Sequence, residues 1–128
     1  MSTIVISNIK ATGETASRAV SGVAAAWVQF YGYTGALAIN DSQNVSSLTD
    51  NGTGEYGVNF SSSFSSANYS RTASCDSNAG TYGHVLAIDN LTSPTSSSVT
   101  VVVRTSNGGT FFTSDRSNCN VATHGDLA

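Results

Sequence analysis

Short apolar or alternating segments of roughly four to eight residues, separated by clusters of Gly, Ser, Asn and Asp, recur along the whole chain. That rhythm belongs to β-strands and turns, because successive side chains of a strand point to opposite faces. TIVISNI, residues 3–9, is a short extended candidate. GETASRAVSGVAAAW is ambiguous: its Ala and Val allow a helical turn or two around residues 16–24, while Gly13 and Gly22 argue against a long helix. In AAWVQFYG, Trp27 and Gln29 fall on one face and Val28 and Phe30 on the other, and GALAIN reads as the partner strand across the link YGYTG. Residues 44–60, NVSSLTDNGTGEYGVNF, read as a hairpin. Asn51-Gly52 and Gly54 supply the positive-φ positions of a tight turn, and Tyr56, Val58 and Phe60 alternate inward against Glu55, Gly57 and Asn59.

Further strands are predicted in ANYSRTASC, GHVLAID and, most strongly, SSVTVVVRTS, followed by a turn at Asn107-Gly108-Gly109 and the closing segment NCNVATHGDLA. Strand signals about every 8–12 residues predict an all-β fold, an antiparallel, jelly-roll-like β-sandwich. The expected organisation is a short extended N-terminal arm over residues 1–24 and one sandwich domain over 25–128. Its candidate core is Trp27, Phe30, Tyr56, Val58, Phe60, Val101 and Val103.

Composition strengthens this picture. Only 10% of the residues are charged, against about 25% in an average soluble protein. Ser (22 residues) and Thr (15) replace them, which suits strands and turns. Net charge is −3, and Lys10, Arg18, Arg71, Arg104 and Arg116 are scattered, so no basic stripe offers itself to a phosphate backbone. Nucleic acid is not an expected partner. No apolar run approaches the ~20 residues of a membrane span, and the start of the chain lacks the pattern of a signal peptide. Folding in a cytoplasm is the expectation. Cys75 and Cys119 read first as two buried or half-buried thiols and second as a disulfide formed after release from the cell.

Candidate chemistry is sparse. His84 alternates with Leu86 and Ile88 and reads as a core or interface residue, and His124 lies four residues from the end. No G-x-S-x-G elbow occurs, and the two cysteines lack a His pair at zinc-ligand spacing. Asp50 and Glu55 flank one turn, where turn Asp plus solvated Glu is favoured over a hydrolytic pair or a calcium site. Six Asn-x-Ser/Thr sequons are what so Asn-, Ser- and Thr-rich a chain generates by chance. The expectation is of no enzyme, no catalytic residue, no metal and no cofactor. Aromatic residues do gather in and beside turns: Tyr31, Tyr33, Tyr82, Phe111 and Phe112 are candidate receptor or subunit-interface residues, with core or interface favoured over a ligand platform.

Over most of its length, and most strongly from Trp27 to Tyr69, the chain resembles a family of marine and cyanobacterial bacteriophage virion proteins, known as tail-fibre or structural proteins. The matching elements are an Ala-Trp-Val-x-Phe strand (Ala26 to Phe30), Gly35, the segment from Ile39 to Ser47, Thr-Asp-Asn-Gly-Thr-Gly (Thr49 to Gly54) and Tyr-x-Val-Asn-Phe (Tyr56 to Phe60). The terminal HGDLA resembles the family's usual terminus, and the opening ISNIKATGE is similar to the short extended leader found before this domain in phage fibres. Two departures stand near a loop or interface: Tyr31 and Tyr33 replace the family's usual Asn and Thr, and Asn40 stands where a basic residue is common.

The resemblance implies a non-enzymatic structural protein, made in the host cytoplasm and carried on the virion exterior. It is expected to form a homotrimer, to contact other virion proteins of tail or capsid, and to recognise a host-surface glycan. A tail-fibre role is placed ahead of capsid decoration, in which a cement protein holds shell subunits by its N-terminal arm. A sugar-cleaving depolymerase stands last, because it needs a facing carboxylate pair and only Asp50 and Glu55 are near in sequence.

Overall fold

The computed structural model of the chain describes residues 3–6, 8–9, 18–19, 23–33, 35–76, 83–88, 92–107 and 109–128. These form eleven strands and no helix: β1 (Asn8–Ile9), β2 (Arg18–Ala19), β3 (Ala24–Tyr31), β4 (Ala38–Gln43), β5 (Val45–Gly52), β6 (Glu55–Phe60), β7 (Ser70–Cys75), β8 (Gly83–Ile88), β9 (Ser98–Asn107), β10 (Thr110–Thr113) and β11 (Cys119–His124). Within the expected arm, β1 and β2 pair as a separate two-stranded ladder. The possible helical turn over residues 16–24 does not form where it can be followed, since Arg18–Ala19 is strand and Ala24 opens β3. β-branched and turn residues on either side outweigh the helical tendency of the Ala run.

Two antiparallel sheets pack face to face as the all-β sandwich that the alternation predicts. One has the order β4-β3-β11-β7. In the other, β5 pairs β6 and β6 pairs β9, with β8 also on β9. β6 and then β10 take up one side of β9 in succession, through residues 98–102 and 104–107, leaving the other side to β8. The chain changes sheets between β4 and β5 at Asn44, whose φ of 54° turns the corner. The Asn44 side chain fixes that corner by accepting from the Ser62 amide at 2.7 Å and donating to the Ser62 carbonyl at 3.1 Å. In the hairpin after β5 the positive-φ residues are Gly52 and Gly54, while Asn51 keeps an ordinary φ.

The core lies between the sheets. Ala26, Val28 and Phe30 from β3, Tyr56, Val58 and Phe60 from β6, Val99, Val101 and Val103 from β9, and Cys119 and Val121 from β11 are buried. Phe64 and Tyr69 extend it beyond β6, their rings stacked at 4.4 Å, with Phe60 edge-on to both. Full burial of each such Val or Phe contributes about 1.5–3 kcal/mol. Phe30, Tyr56, Val58, Phe60, Val101 and Val103 are therefore core residues, as the pattern predicts. Trp27 is not. It shares the outward phase of Gln29 and is half-buried on the outer face of its sheet.

Candidate functional site

The outward positions of β3 define a stripe. Ala26, Val28 and Phe30 are needed by the core, so Trp27, Gln29 and Tyr31 must project from the opposite side of the strand. Trp27 stands opposite Gln43 of β4, and its indole N–H donates to Gln43 Oε1 at 3.1 Å. Gln29 stands opposite Asp41, and its amide donates to Asn118 Oδ1 at 3.2 Å. Both amides orient the stripe while leaving further donor and acceptor capacity. Beside the stripe is a shallow, open depression of about 310 Å³ lined by Trp27, Gln29, Thr72, Ser74, Asn120 and Ala122. Ala122 is opposite Trp27 on the β11 side.

Tyr31 ends the stripe and Tyr33 folds back against it, with ring centroids 5.1 Å apart and 31° between planes. Both rings are more than one-third exposed. The link between them is held from below. Tyr56, wholly buried, donates its phenolic hydrogen to the Gly32 carbonyl, and the Gly32 amide donates to the Arg116 carbonyl at 2.9 Å. A Cβ at Gly32 would lie 2.8 Å from the Tyr56 ring, so glycine is what lets the link settle on the phenol. Burial pushes the Tyr56 phenol well above its usual range, and Asp115 adds to the effect from 3.3 Å.

A polar cluster lies behind this end of the sandwich. His84 Nδ1 is 2.9 Å from Thr105 Oγ1 and 2.8 Å from Arg116 Nη2, which also donates to Ser114 Oγ at 3.1 Å. Because a guanidinium can only donate, Nδ1 is the acceptor and the imidazole is neutral, with its proton on Nε2. Burial and the Arg116 charge hold the His84 pKa below 6.5, with Asp76 opposing them. Burial raises the Asp76 carboxyl, but hydrogen bonds from Ser117 and Asn118 and the Arg116 charge outweigh it and leave the pKa below 3.8. The arrangement braces the connection from β10 to β11. The Thr105 hydroxyl that meets His84 Nδ1 is fully buried.

The expected site residues are distributed unevenly. Tyr31 and Tyr33 come together, and Trp27, assigned to the core from sequence, joins their stripe. Phe111 and Phe112 lie on β10 in the other sheet, Phe111 at 72% exposure. Tyr82 lies outside the described residues. Asp50 is opposite Tyr56 in the hairpin, whereas Glu55 adjoins Tyr56 and faces the other way, so the two carboxylates lie on opposite faces of the hairpin. Asp50 accepts from the Gly52 amide at 3.0 Å, a turn role, and Glu55 borders a separate hydroxyl- and amide-lined depression with Thr49, Asn59 and Thr100. Among the described residues no group of three or more His, Cys, Asp or Glu side chains could hold a metal ion. No protein-family model, no curated protein and no solved structure matches the chain.

Proposed function

We propose that the chain is a non-enzymatic structural protein of the phage virion exterior, tail-fibre-like and homotrimeric, and that it recognises a host-surface glycan through the outer face of β3. One observation carries the recognition: Trp27, Gln29 and Tyr31 project from one side of a single strand, with Tyr33 against Tyr31, beside a mostly apolar depression edged by Gln29, Asn120, Thr72 and Ser74. A pyranose presents apolar C–H faces and a girdle of hydroxyls. Indole and phenol rings complement the first, and Gln, Asn, Thr and Ser complement the second. At ~3.3 Å per residue, Trp27 to Tyr31 spans roughly 13 Å, a track for a short oligosaccharide rather than a single sugar. The virion assignment rests on the ordered resemblance, strongest from Trp27 to Tyr69. A charge-poor, hydroxyl-rich surface suits packing against copies of itself, and Phe111 and Phe112 on β10 are assigned to that subunit contact.

Immobilised host cell-surface polysaccharide, with a panel of neutral and acidic oligosaccharides, tests the reading. The full chain is expected to bind saturably, and Trp27→Ala and the double variant Tyr31→Ala/Tyr33→Ala are expected to weaken binding by about tenfold or more without unfolding. Equal binding by the variants and the parent overturns the site.

Capsid decoration is the second reading, favoured by a specific observation. Ile4 and Val5 in the leading segment are 84% and 91% exposed, an apolar arm suited to lying on a neighbouring shell subunit. Copy number per virion, measured by quantitative mass spectrometry against the major capsid protein, separates the two. Hundreds of copies in simple ratio to capsid mean decoration; a few tens or fewer mean the tail.

A further inference from the structure

Cys75 ends β7 and Cys119 opens β11, and the two stand directly opposite each other in the antiparallel register. Both face inward: Cys119 is fully buried, and the partly buried Cys75 packs against the same core. The hydrogen-bond phase of the ladder fixes their spacing. The Asp76 amide donates to the Asn118 carbonyl at 2.9 Å, so residues 76 and 118 are a hydrogen-bonded pair. Pair types alternate along an antiparallel ladder, which makes Cys75 and Cys119 a non-hydrogen-bonded pair. At such a pair the Cα atoms approach to ~4.5 Å and the side chains come closest. A disulfide requires Cα atoms ~4.4–6.8 Å apart. The ladder therefore brings two thiols within bridging reach without moving the backbone, and both are reduced in this structure.

We propose that Cys75 and Cys119 are an oxidisable pair that closes into a cross-strand disulfide when the chain passes from a reducing to an oxidising medium, tying the edge strand β7 to β11. A low-molecular-weight disulfide such as oxidised glutathione serves as oxidant. Cys75, the more accessible thiol, loses its proton to solvent, and its thiolate attacks one sulfur of the oxidant. The oxidant's S–S bond breaks, one glutathione thiolate leaves, and Cys75 carries a mixed disulfide. Cys119 then loses its proton and attacks the Cys75 sulfur, expelling the second glutathione thiolate. Two protein thiols are oxidised, one oxidant disulfide is reduced to two thiols, and the two protons released are those the leaving thiolates take up. Burial pushes the Cys119 thiol up to about 12, with Cys75, Asp76 and Asp115 adding to it and Arg116 opposing. The second step is consequently slow near neutrality and accelerates about tenfold per pH unit below that value.

The test incubates the full chain with excess oxidised glutathione at about pH 7 and about pH 9, with acid quenching, intact-mass measurement and peptide mapping. The expected course is a transient glutathione adduct on Cys75, then loss of two hydrogens relative to the reduced chain. A peptide containing Cys75 becomes linked to one containing Cys119, and the linkage forms faster at the higher pH. The oxidised chain is expected to melt roughly 5–15 °C higher than the reduced one. Cys119→Ser is expected to stop at the adduct, and should it fail to fold, the parent chain alone still decides. A parent chain that stays unmodified, or holds the adduct without linkage at both pH values, overturns the proposal. A linked chain that melts lower than the reduced one does so too, because the register would then not fit the bridge.

Discussion

Replacing Tyr56 with Phe removes one oxygen atom from the point where the core meets the candidate site. The ring is fully buried and sits edge-on to Phe30 at 5.2 Å, so the hydrocarbon packing is retained. What is lost is the hydrogen bond to the Gly32 carbonyl, beneath the Tyr31–Tyr33 link. A buried acceptor left without its donor costs about 1–3 kcal/mol, and the void of a single hydroxyl adds little. For a chain of 128 residues that corresponds to a fall of roughly 4–12 °C in melting temperature. A second signature distinguishes loss of the phenol from general loosening. The folded-state pKa of Tyr56 lies above its unfolded value of 10.0, so its contribution is fully present below pH 10.0 and is lost as pH rises through the folded pKa. Chemical denaturation of parent and Tyr56→Phe between pH 7 and the alkaline range measures both. The variant should be less stable at neutral pH and should lose less stability above pH 10.0, the remaining decline coming from Tyr69 and Cys119, whose pKa values are also raised by burial. Equal stability at neutral pH together with an unchanged alkaline decline would refute the role assigned to the phenol.

Asn44→Ala should cost about 2–3 kcal/mol, through two lost hydrogen bonds and a left-handed φ that Ala adopts at a penalty of ~1 kcal/mol. Asn44→Gly should recover the backbone part only, and equal stability of Ala and Gly variants in urea titrations would contradict the corner assignment. The folded-state pKa of His84 is depressed, so its contribution is present above pH 6.5 and is lost as pH falls through the folded value. Asp76, also depressed, adds a further loss below pH 3.8. His84→Gln should flatten the first decline and leave the second, as read by denaturant midpoints across that range. Trp27→Ala should destabilise by less than the ~3–5 kcal/mol of a fully buried large aromatic, and a loss of that full size would return the indole to the core.

The strands and most of the core were legible because period-two alternation is strict where one face is buried: Tyr56, Val58 and Phe60, or Val101 and Val103, can face only one way. The same alternation held the correction for Trp27. Its neighbours in phase are Gln29 and Tyr31, and an amide flanked by two aromatics signals an outer face; the size and apolar character of the indole argued for burial instead. The corner at Asn44 was hidden because Asn-Val-Ser-Ser reads as any polar turn, and only tertiary pairing makes that residue a change of sheet. The insertion of β11 between β3 and β7 is a long-range pairing that local sequence does not encode, and it alone brings Cys119 opposite Cys75. The polar cluster of His84, Thr105, Ser114 and Arg116 depends on the same assembly of distant strands.

Trp27 is the single tryptophan of the chain, so its fluorescence reports on the proposed site alone. Titrating the full chain with fragments of host cell-surface polysaccharide, followed by tryptophan emission, reads whether a sugar reaches that indole. Stacking of a sugar on the half-buried indole predicts a saturable shift of emission to shorter wavelength, with the midpoint matching the binding constant found by calorimetry. Calorimetric binding with an unmoved tryptophan spectrum would place the glycan elsewhere on the sandwich, and the absence of binding by either method would contradict glycan recognition itself.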